Sequence, residues 1–154
     1  PGPNKWGYQE PRTGNGYVGL QTYWSVQSYA GYCSIKLQNK LKNSKYCVSF
    51  FVSLGDTFPT YCNNISAYFS NLIPTVTQLW SFQLSPQVEN DIVNNQLFDK
   101  LNWTEVKGSF IANGTEEYIT IGNFKTNLLS DTVNLYQTSG SISSGYFVDD
   151  VSVI

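Results

Sequence analysis

The sequence predicts a single all-β domain over residues 1–154, a jelly-roll β-sandwich of two mainly antiparallel sheets, from three observations. Hydrophobic residues make up 41% of the chain and charged residues only 13%, which favours a packed core over disorder or a coiled coil. Ser, Thr and Asn replace the missing charge, and these residues prefer turns and exposed strands to helix interiors. Aromatic residues reach 16% and recur in short runs separated by turn residues, a pattern typical of sandwiches.

The first half of the chain holds four predicted strands. Tyr17–Val26 follows the turn signal Asn15-Gly16, and its aromatic and β-branched residues favour an extended backbone. Lys45–Leu54 follows the turn residues Lys42-Asn43-Ser44 and carries apolar side chains at every second position. The other two predicted strands of this half are Tyr32–Leu41 and Ile65–Ser70.

The second half begins with a weaker stretch, residues 71–100, which contains Pro74 and Pro86. We interpret it as a connection with one or two edge strands and a helical turn at Asn90–Leu97. Asn113-Gly114 and Ser139-Gly140 then mark turns between later strands. The predicted strands here are Trp103–Ala112, Glu117–Phe124, Thr132–Thr138 and Gly145–Ile154.

Strand alternation assigns side chains to the two faces of each sheet. In the first strand the core phase is Val18, Leu20, Trp24 and Val26, and Trp103 is assigned to the core as well. In the last strand Phe147, Val151 and Val153 share the inward phase, which places Asp149 inward with them and in need of a partner. Seven side chains are expected between the sheets: Val48, Phe50, Val52, Val106, Phe110, Ile119 and Ile121.

The composition excludes several function classes. The chain has no histidine, which removes the commonest general base and every histidine-dependent triad. The closest carboxylate pairs, Glu116-Glu117 and Asp149-Asp150, are sequence neighbours that a strand would point to opposite faces, so they cannot form a glycosidase pair. A net charge of −2 disfavours nucleic-acid binding, and no apolar run is long enough to span a bilayer. We therefore predict a protein that is not an enzyme, binds no nucleic acid and has no transmembrane segment.

The three cysteines, Cys33, Cys47 and Cys62, have a spacing that fits no metal-ligand pattern. Their odd number allows at most one internal disulfide. We interpret them as buried small hydrophobic residues rather than as a bridge.

Several sequence blocks, in this order, resemble a known family. Gly7-Tyr8-Gln9 and the run from Pro11 to Gly19 are similar to the opening of jelly-roll modules in surface and secreted proteins of Bacteroidetes. Further blocks similar to that family are residues 46–54, 65–70, 86–88, 103–112, 117–124 and 149–153. The resemblance covers nearly the whole chain, and it is more specific for fold and lineage than for ligand.

The resemblance implies a carbohydrate-binding, galactose-binding-like sandwich, part of a larger exported protein, located outside the cell or on its surface. It also implies a structural calcium ion near the last strand, with Asp149 as a ligand; the alternative is a salt bridge or backbone hydrogen bonds involving Arg12, the only arginine. Members of the family carry a further strand upstream of the Gly-Tyr-Gln block. We therefore expect Tyr146–Val153 to border a position for a missing strand, unless residues 1–9 close that edge.

Two functions are consistent with this pattern. A glycan-binding module would use flat aromatic rings against sugar C–H groups and nearby amides for hydrogen bonds. The strand phase gives Tyr17, Gln21, Tyr23, Tyr68 and Tyr118 as candidate ligand-binding residues, with Trp6, Tyr8 and Trp80 contributing from loops. Ordinary cross-strand packing is the alternative for each tyrosine. The second function is a structural or adhesive module of a surface assembly that contacts other proteins.

Overall fold

The computed structural model describes residues 4–27, 30–80, 84–136 and 140–154 and is an all-β sandwich with 43% strand and 3% helix. The first sheet has the strand order β1-β10-β3-β7 and the second has the order β2-β8-β5-β6; β4 and β9 form a separate pair. The strands are β1 (Val18–Trp24), β2 (Tyr32–Lys36), β3 (Lys45–Leu54), β4 (Thr60–Cys62), β5 (Ser66–Ser70), β6 (Val88–Glu89), β7 (Thr104–Ile111), β8 (Tyr118–Gly122), β9 (Thr132–Asn134) and β10 (Ser143–Val153).

The connections follow the jelly-roll order. Within the two main sheets, each strand is followed by one in the opposite sheet except that β5 is followed by β6: β1, β3, β7 and β10 lie in the first sheet, and β2, β5, β6 and β8 lie in the second. All strand pairs are antiparallel. The predicted fold class is thus confirmed.

The core lies between the two sheets. Six of the seven side chains expected there are at most 1% exposed, because each stands on the inward phase of its strand. Phe110 is half-buried at the end of the sandwich, where it stacks on Phe69 with ring centroids 4.4 Å apart. The buried polar residue Tyr146 reaches the same core from β10.

The alternation predicted for the first strand holds as far as Gln21 and is wrong beyond it. Val18 and Val26 are 43% and 63% exposed, and Leu20 alone of the four expected core residues is buried. Gln21 pairs with Gly145 while Tyr23 pairs with Ser144, so Thr22 is an extra residue in a β-bulge.

The expected inward position of Asp149 is also wrong. Tyr146 and Val148 belong to the central core, so Phe147 and Asp149 lie on the outer face of β10. A second bulge follows, between Asp149 and Ser152, and Asp150 adopts the left-handed conformation with φ of 50°. The bulge shifts the alternation by one residue, which returns Val151 and Val153 to the core side.

The terminal strand was expected to border a vacant strand position. Up to Val148 it lies between β1 and β3 and is an internal strand. Beyond Asp149, β3 is the one strand of the described chain that pairs with it. The expectation therefore does not hold for Tyr146–Val148, and whether an upstream segment pairs with the rest stays a prediction.

Three smaller differences concern the connecting regions, the short strands and the cysteines. The short helix α1 lies at Val76–Trp80, whereas the helical turn expected at Asn90–Leu97 is a turn without helix. The strands β4 and β6 are too short to show a periodic pattern. All three cysteines are free; Cys62 is buried as expected, but Cys33 is half-buried and Cys47 is exposed.

Candidate functional site

The N-terminal segment, residues 4–13, lies across the outer face of the first sheet. The Trp6 ring packs against Phe58 and Phe147, with centroid distances of 5.5 and 6.4 Å. Gly19 provides the space for this ring, since a Cβ atom there would lie 2.7 Å from the indole. The buried Gln9 side chain donates a 2.8 Å hydrogen bond to Ser53 Oγ. The segment is thus held on the sheet by packing and by a buried polar contact.

The segment ends at the bulge of β10. The Arg12 guanidinium lies 3.5 Å from the centroid of Phe51 and forms a 2.5 Å ion pair with Asp150. The Arg12 backbone N–H donates to Asp149 Oδ2 at 2.8 Å. Hydrogen bonds from Thr13 and Arg12, together with the charge of Arg12, lower the pKa of Asp150.

The bulge in β1 brings Trp24 to the same outer face. Because Thr22 is the extra residue, the alternation reverses after Gln21, and Trp24 pairs with Ser143 on the outer side. The expected core position of Trp24 is therefore wrong. Trp103 is not in the core either: its ring packs against Tyr17 and its Nε1–H donates to the Glu10 carbonyl at 3.0 Å.

Trp6 and Trp24 line one pocket of about 360 Å³, which we call the tryptophan pocket. The side chains of Gln21 and Ser143 line it too, and neither makes a hydrogen bond to another residue that the structure describes. The described residues that line it are Lys5, Trp6, Gln21, Trp24, Thr57, Phe58 and Ser143. The pocket thus combines aromatic surface with amide, hydroxyl and ammonium groups, and no carboxylate lines it.

The five predicted ligand-binding residues do not form one site. Gln21 alone lines the tryptophan pocket. Tyr17 is packed against Trp103 and Phe147, and its buried hydroxyl has no hydrogen-bond partner among the residues that the structure describes. Tyr23 follows the bulge and turns toward the core side, opposite Ser144.

Tyr68 and Tyr118 lie on the outer face of the second sheet, on the other side of the molecule. Tyr68 pairs with Thr120 and contacts Phe124 at a centroid distance of 5.9 Å. Lys36 Nζ lies 6.0 Å from the centroid of Tyr118. The two half-buried tyrosines are diagonal neighbours on adjacent strands and form a flat surface rather than a pocket.

The carboxylates at the β10 bulge have partners within the chain. Asp149 accepts hydrogen bonds from the backbone N–H groups of Arg12 and Asp150, and Asp150 forms an ion pair with the Arg12 guanidinium. No group of three or more Asp, Glu, His or Cys side chains within the described ranges is placed to hold a metal ion. Calcium is also bound by backbone carbonyl oxygens, so a calcium ion at Asp149 stays a prediction.

Part of this pocket was predicted from the sequence. Trp6 was expected to contribute from a loop, and Gln21 from its phase. Trp24 was missed because the alternation of residues in a strand does not reveal a bulge. Thr57 and Ser143 were missed because their positions depend on pairing between distant strands.

Comparisons with protein-family models, with curated proteins and with solved structures find no match for this chain. In the part of the chain that the structure describes, no helix is long and apolar enough to cross a bilayer.

Proposed function

We propose that this domain is a non-catalytic glycan-binding module and that the tryptophan pocket is its binding site. The observation that carries the proposal is the joint lining of one pocket by Trp6, Trp24 and the amide of Gln21. Indole rings present flat apolar faces to sugar C–H groups, and the amide orients the hydroxyl groups. The function implies an extracellular or cell-surface location, which the resemblance to exported Bacteroidetes modules also supports.

The size of the pocket limits the ligand. A volume of about 360 Å³ is at the lower end of the range for small-molecule sites, roughly 300–1,000 Å³. We therefore expect recognition of one or two sugar rings, such as the end of a glycan chain. Binding without hydrolysis is the expected outcome, because glycoside hydrolysis requires two carboxyl groups about the scissile bond.

The test is a titration of the purified domain against a panel of soluble glycans by isothermal titration calorimetry, with tryptophan fluorescence as a second signal. We expect Trp6→Ala and Trp24→Ala each to weaken binding by at least about tenfold, which corresponds to about 1.4 kcal/mol. Tyr68→Ala and Tyr118→Ala are the matched controls, because both tyrosines lie on the opposite sheet and should leave the affinity unchanged.

Two outcomes contradict this assignment. If no glycan in the panel binds at millimolar concentration, the function is wrong. If the two tyrosine variants lose binding and the tryptophan variants retain it, the flat face of the second sheet is the site.

The alternative function is a structural or adhesive module that contacts other proteins. The observation that favours it is the one-sided pairing of β10 beyond Asp149. The two functions are distinguished by whether the purified domain binds a glycan or a protein in solution.

A further inference from the structure

Among the described residues, the last part of β10 has a neighbouring strand on one side only. β1 pairs with β10 from Ser143 to Val148, and its first residue, Val18, is opposite Val148. β3 continues alongside β10 as far as Val153. An open edge of four residues, 150–153, therefore remains, which is roughly 13 Å of strand at about 3.3 Å per residue.

The backbone groups of Val153 point to this open side. Ile154 and Cys47 exchange two hydrogen bonds, of 2.7 and 3.0 Å, so they form a hydrogen-bonded pair. In an antiparallel ladder the next pair, Val153 and Val48, is then a non-hydrogen-bonded pair. The N–H and C=O groups of Val153 thus point away from β3, and no backbone hydrogen bond joins them to another described residue.

The open edge borders a cleft of about 1020 Å³ between the two sheets. Its apolar lining comes from both sheets and includes Ile119, whose side chain is otherwise a core residue 1% exposed. The full set of apolar and aromatic lining residues is Ile35, Leu37, Leu41, Tyr46, Ile119, Val151 and Val153. Apolar side chains of a strand added to the edge would enter this cleft.

The charge at the rim is positive. Lys36, Lys40 and Lys42 line the cleft and no Asp or Glu does, although the chain as a whole has a net charge of −2. None of the three lysines forms an ion pair within the described part of the chain. Glu116 lies beside the loop that follows β2, since its carbonyl accepts a hydrogen bond from the Leu41 N–H. Its carboxylate is occupied by the backbone N–H groups of residues 113–115.

We propose that this cleft accepts an extended strand from another protein chain, with apolar side chains facing inward and acidic side chains facing the lysines. Backbone pairing with Val151–Val153 provides the affinity common to strand addition, and the alternation of apolar and acidic residues provides the specificity. This inference is independent of the glycan proposal, since the cleft shares no residue with the tryptophan pocket.

Lysines at an open edge can instead prevent strand addition. If the three lysines attract acidic side chains, an acidic strand should bind; if they only block pairing, it should not. The test therefore uses a fluorescein-labelled, capped hexapeptide of alternating glutamate and valine, with fluorescence anisotropy as the readout.

We expect the peptide to bind with a dissociation constant below about 1 mM, more weakly as salt is added. Amide hydrogen exchange at Val151 and Val153 should slow when it binds. The lysine–valine peptide should bind at least about tenfold more weakly, and so should a glutamate–valine peptide with N-methyl groups on its pairing edge.

Two variants of the domain complete the test. Val153→Pro removes a donor that faces the open side and leaves the hydrogen bonds to β3 in place, so it should weaken binding; Val153→Ala retains the N–H and is its control. Trp6→Ala should leave peptide binding unchanged. The proposal is wrong if the glutamate–valine peptide does not bind or if N-methylation has no effect. It is also wrong if polygalacturonate, an acidic glycan, displaces the peptide and the peptide has not slowed amide hydrogen exchange at Val151 and Val153.

Discussion

Tyr146 carries a hydroxyl group into the centre of the core. The side chain is 0% exposed, and its Oη accepts a 3.0 Å hydrogen bond from the Cys62 N–H and donates to the Leu97 carbonyl at 2.8 Å. Burial raises the pKa of this hydroxyl well above its usual value, so the group stays neutral. It connects β10 to the end of β4 and to the loop that contains Leu97.

Replacement of this hydroxyl should be costly. Tyr146→Phe leaves the Cys62 N–H and the Leu97 carbonyl buried without partners, which should lower the free energy of unfolding by about 1–3 kcal/mol. Urea denaturation measures the change. Tyr136→Phe is the control, because Tyr136 is 65% exposed; an equal effect of the two substitutions would contradict the role given to Tyr146.

The thiol groups should differ in reactivity. Burial raises the pKa of Cys62 to about 12, and burial also raises the pKa of the half-buried Cys33. Only the thiolate is nucleophilic, and Cys47 is the exposed one of the three. Iodoacetamide followed by peptide mass spectrometry should therefore show labelling of Cys47 first and of Cys62 only after unfolding. Labelling of Cys62 at the rate of Cys47 in the native protein would contradict its burial.

Glu116 makes stability depend on pH in the acid range. Burial by itself would raise the pKa of this carboxyl, but backbone N–H groups, including those of Asn113, Thr115 and Gly114, lower it below the usual value. A group whose pKa is lowered by folding stabilises the native state above its unfolded pKa, about 4.3, and loses that effect as the pH falls through the folded value.

The melting temperature should accordingly fall as the pH is lowered from about 5 to about 3, and Glu116→Gln should make this fall smaller. Asp91→Asn should also reduce this pH dependence, because hydrogen bonds from Asn94 and Val93 lower the pKa of that exposed carboxyl. If Glu116→Gln leaves the pH dependence of the melting temperature unchanged, Glu116 does not contribute to that dependence.

At the scale of elements, β1 and the N-terminal segment form one unit. Trp6 lies flat on the strand only because Gly19 lacks a side chain. Gly19→Ala should displace the indole, destabilise the domain by about 1–3 kcal/mol and weaken glycan binding together. Gly16→Ala is the matched control, since no atom lies within 4 Å of a Cβ at that position. Tryptophan emission and urea denaturation measure both effects, and equal behaviour of the two variants would contradict the packing.

The elements also show what sequence alone could predict. β3 was predicted with its observed ends, Lys45 and Leu54, because five inward apolar side chains follow one uninterrupted alternation. β1 and β10 were found as strands, but their bulges at Thr22 and Asp150 reversed the faces of Trp24 and Asp149. A bulge is decided by pairing with a distant strand, so the composition of its own strand does not reveal it.

At the scale of the whole molecule, the two ends of the described chain meet in one sheet. β1 pairs with β10, which follows it by more than a hundred residues, and β3 completes the centre of that sheet. Non-local pairing of this kind requires closure of long loops before contacts form. We expect refolding on the millisecond-to-second scale, measured by stopped-flow tryptophan fluorescence after urea dilution. Complete refolding within microseconds would contradict this topology as the rate-limiting feature.

The N-terminal segment has a consequence for where the domain can be cut. A boundary drawn at the first strand would remove Trp6, Gln9 and Arg12 together, although none of them belongs to a strand of the sandwich. Phe51 and Phe147 would then face water, and the outer face of the sandwich would gain an exposed apolar patch prone to aggregation. Proteolytic trimming past Trp6 would remove one wall of the tryptophan pocket while leaving every strand intact, so a trimmed preparation could keep its β-sheet circular dichroism and still have lost its ligand.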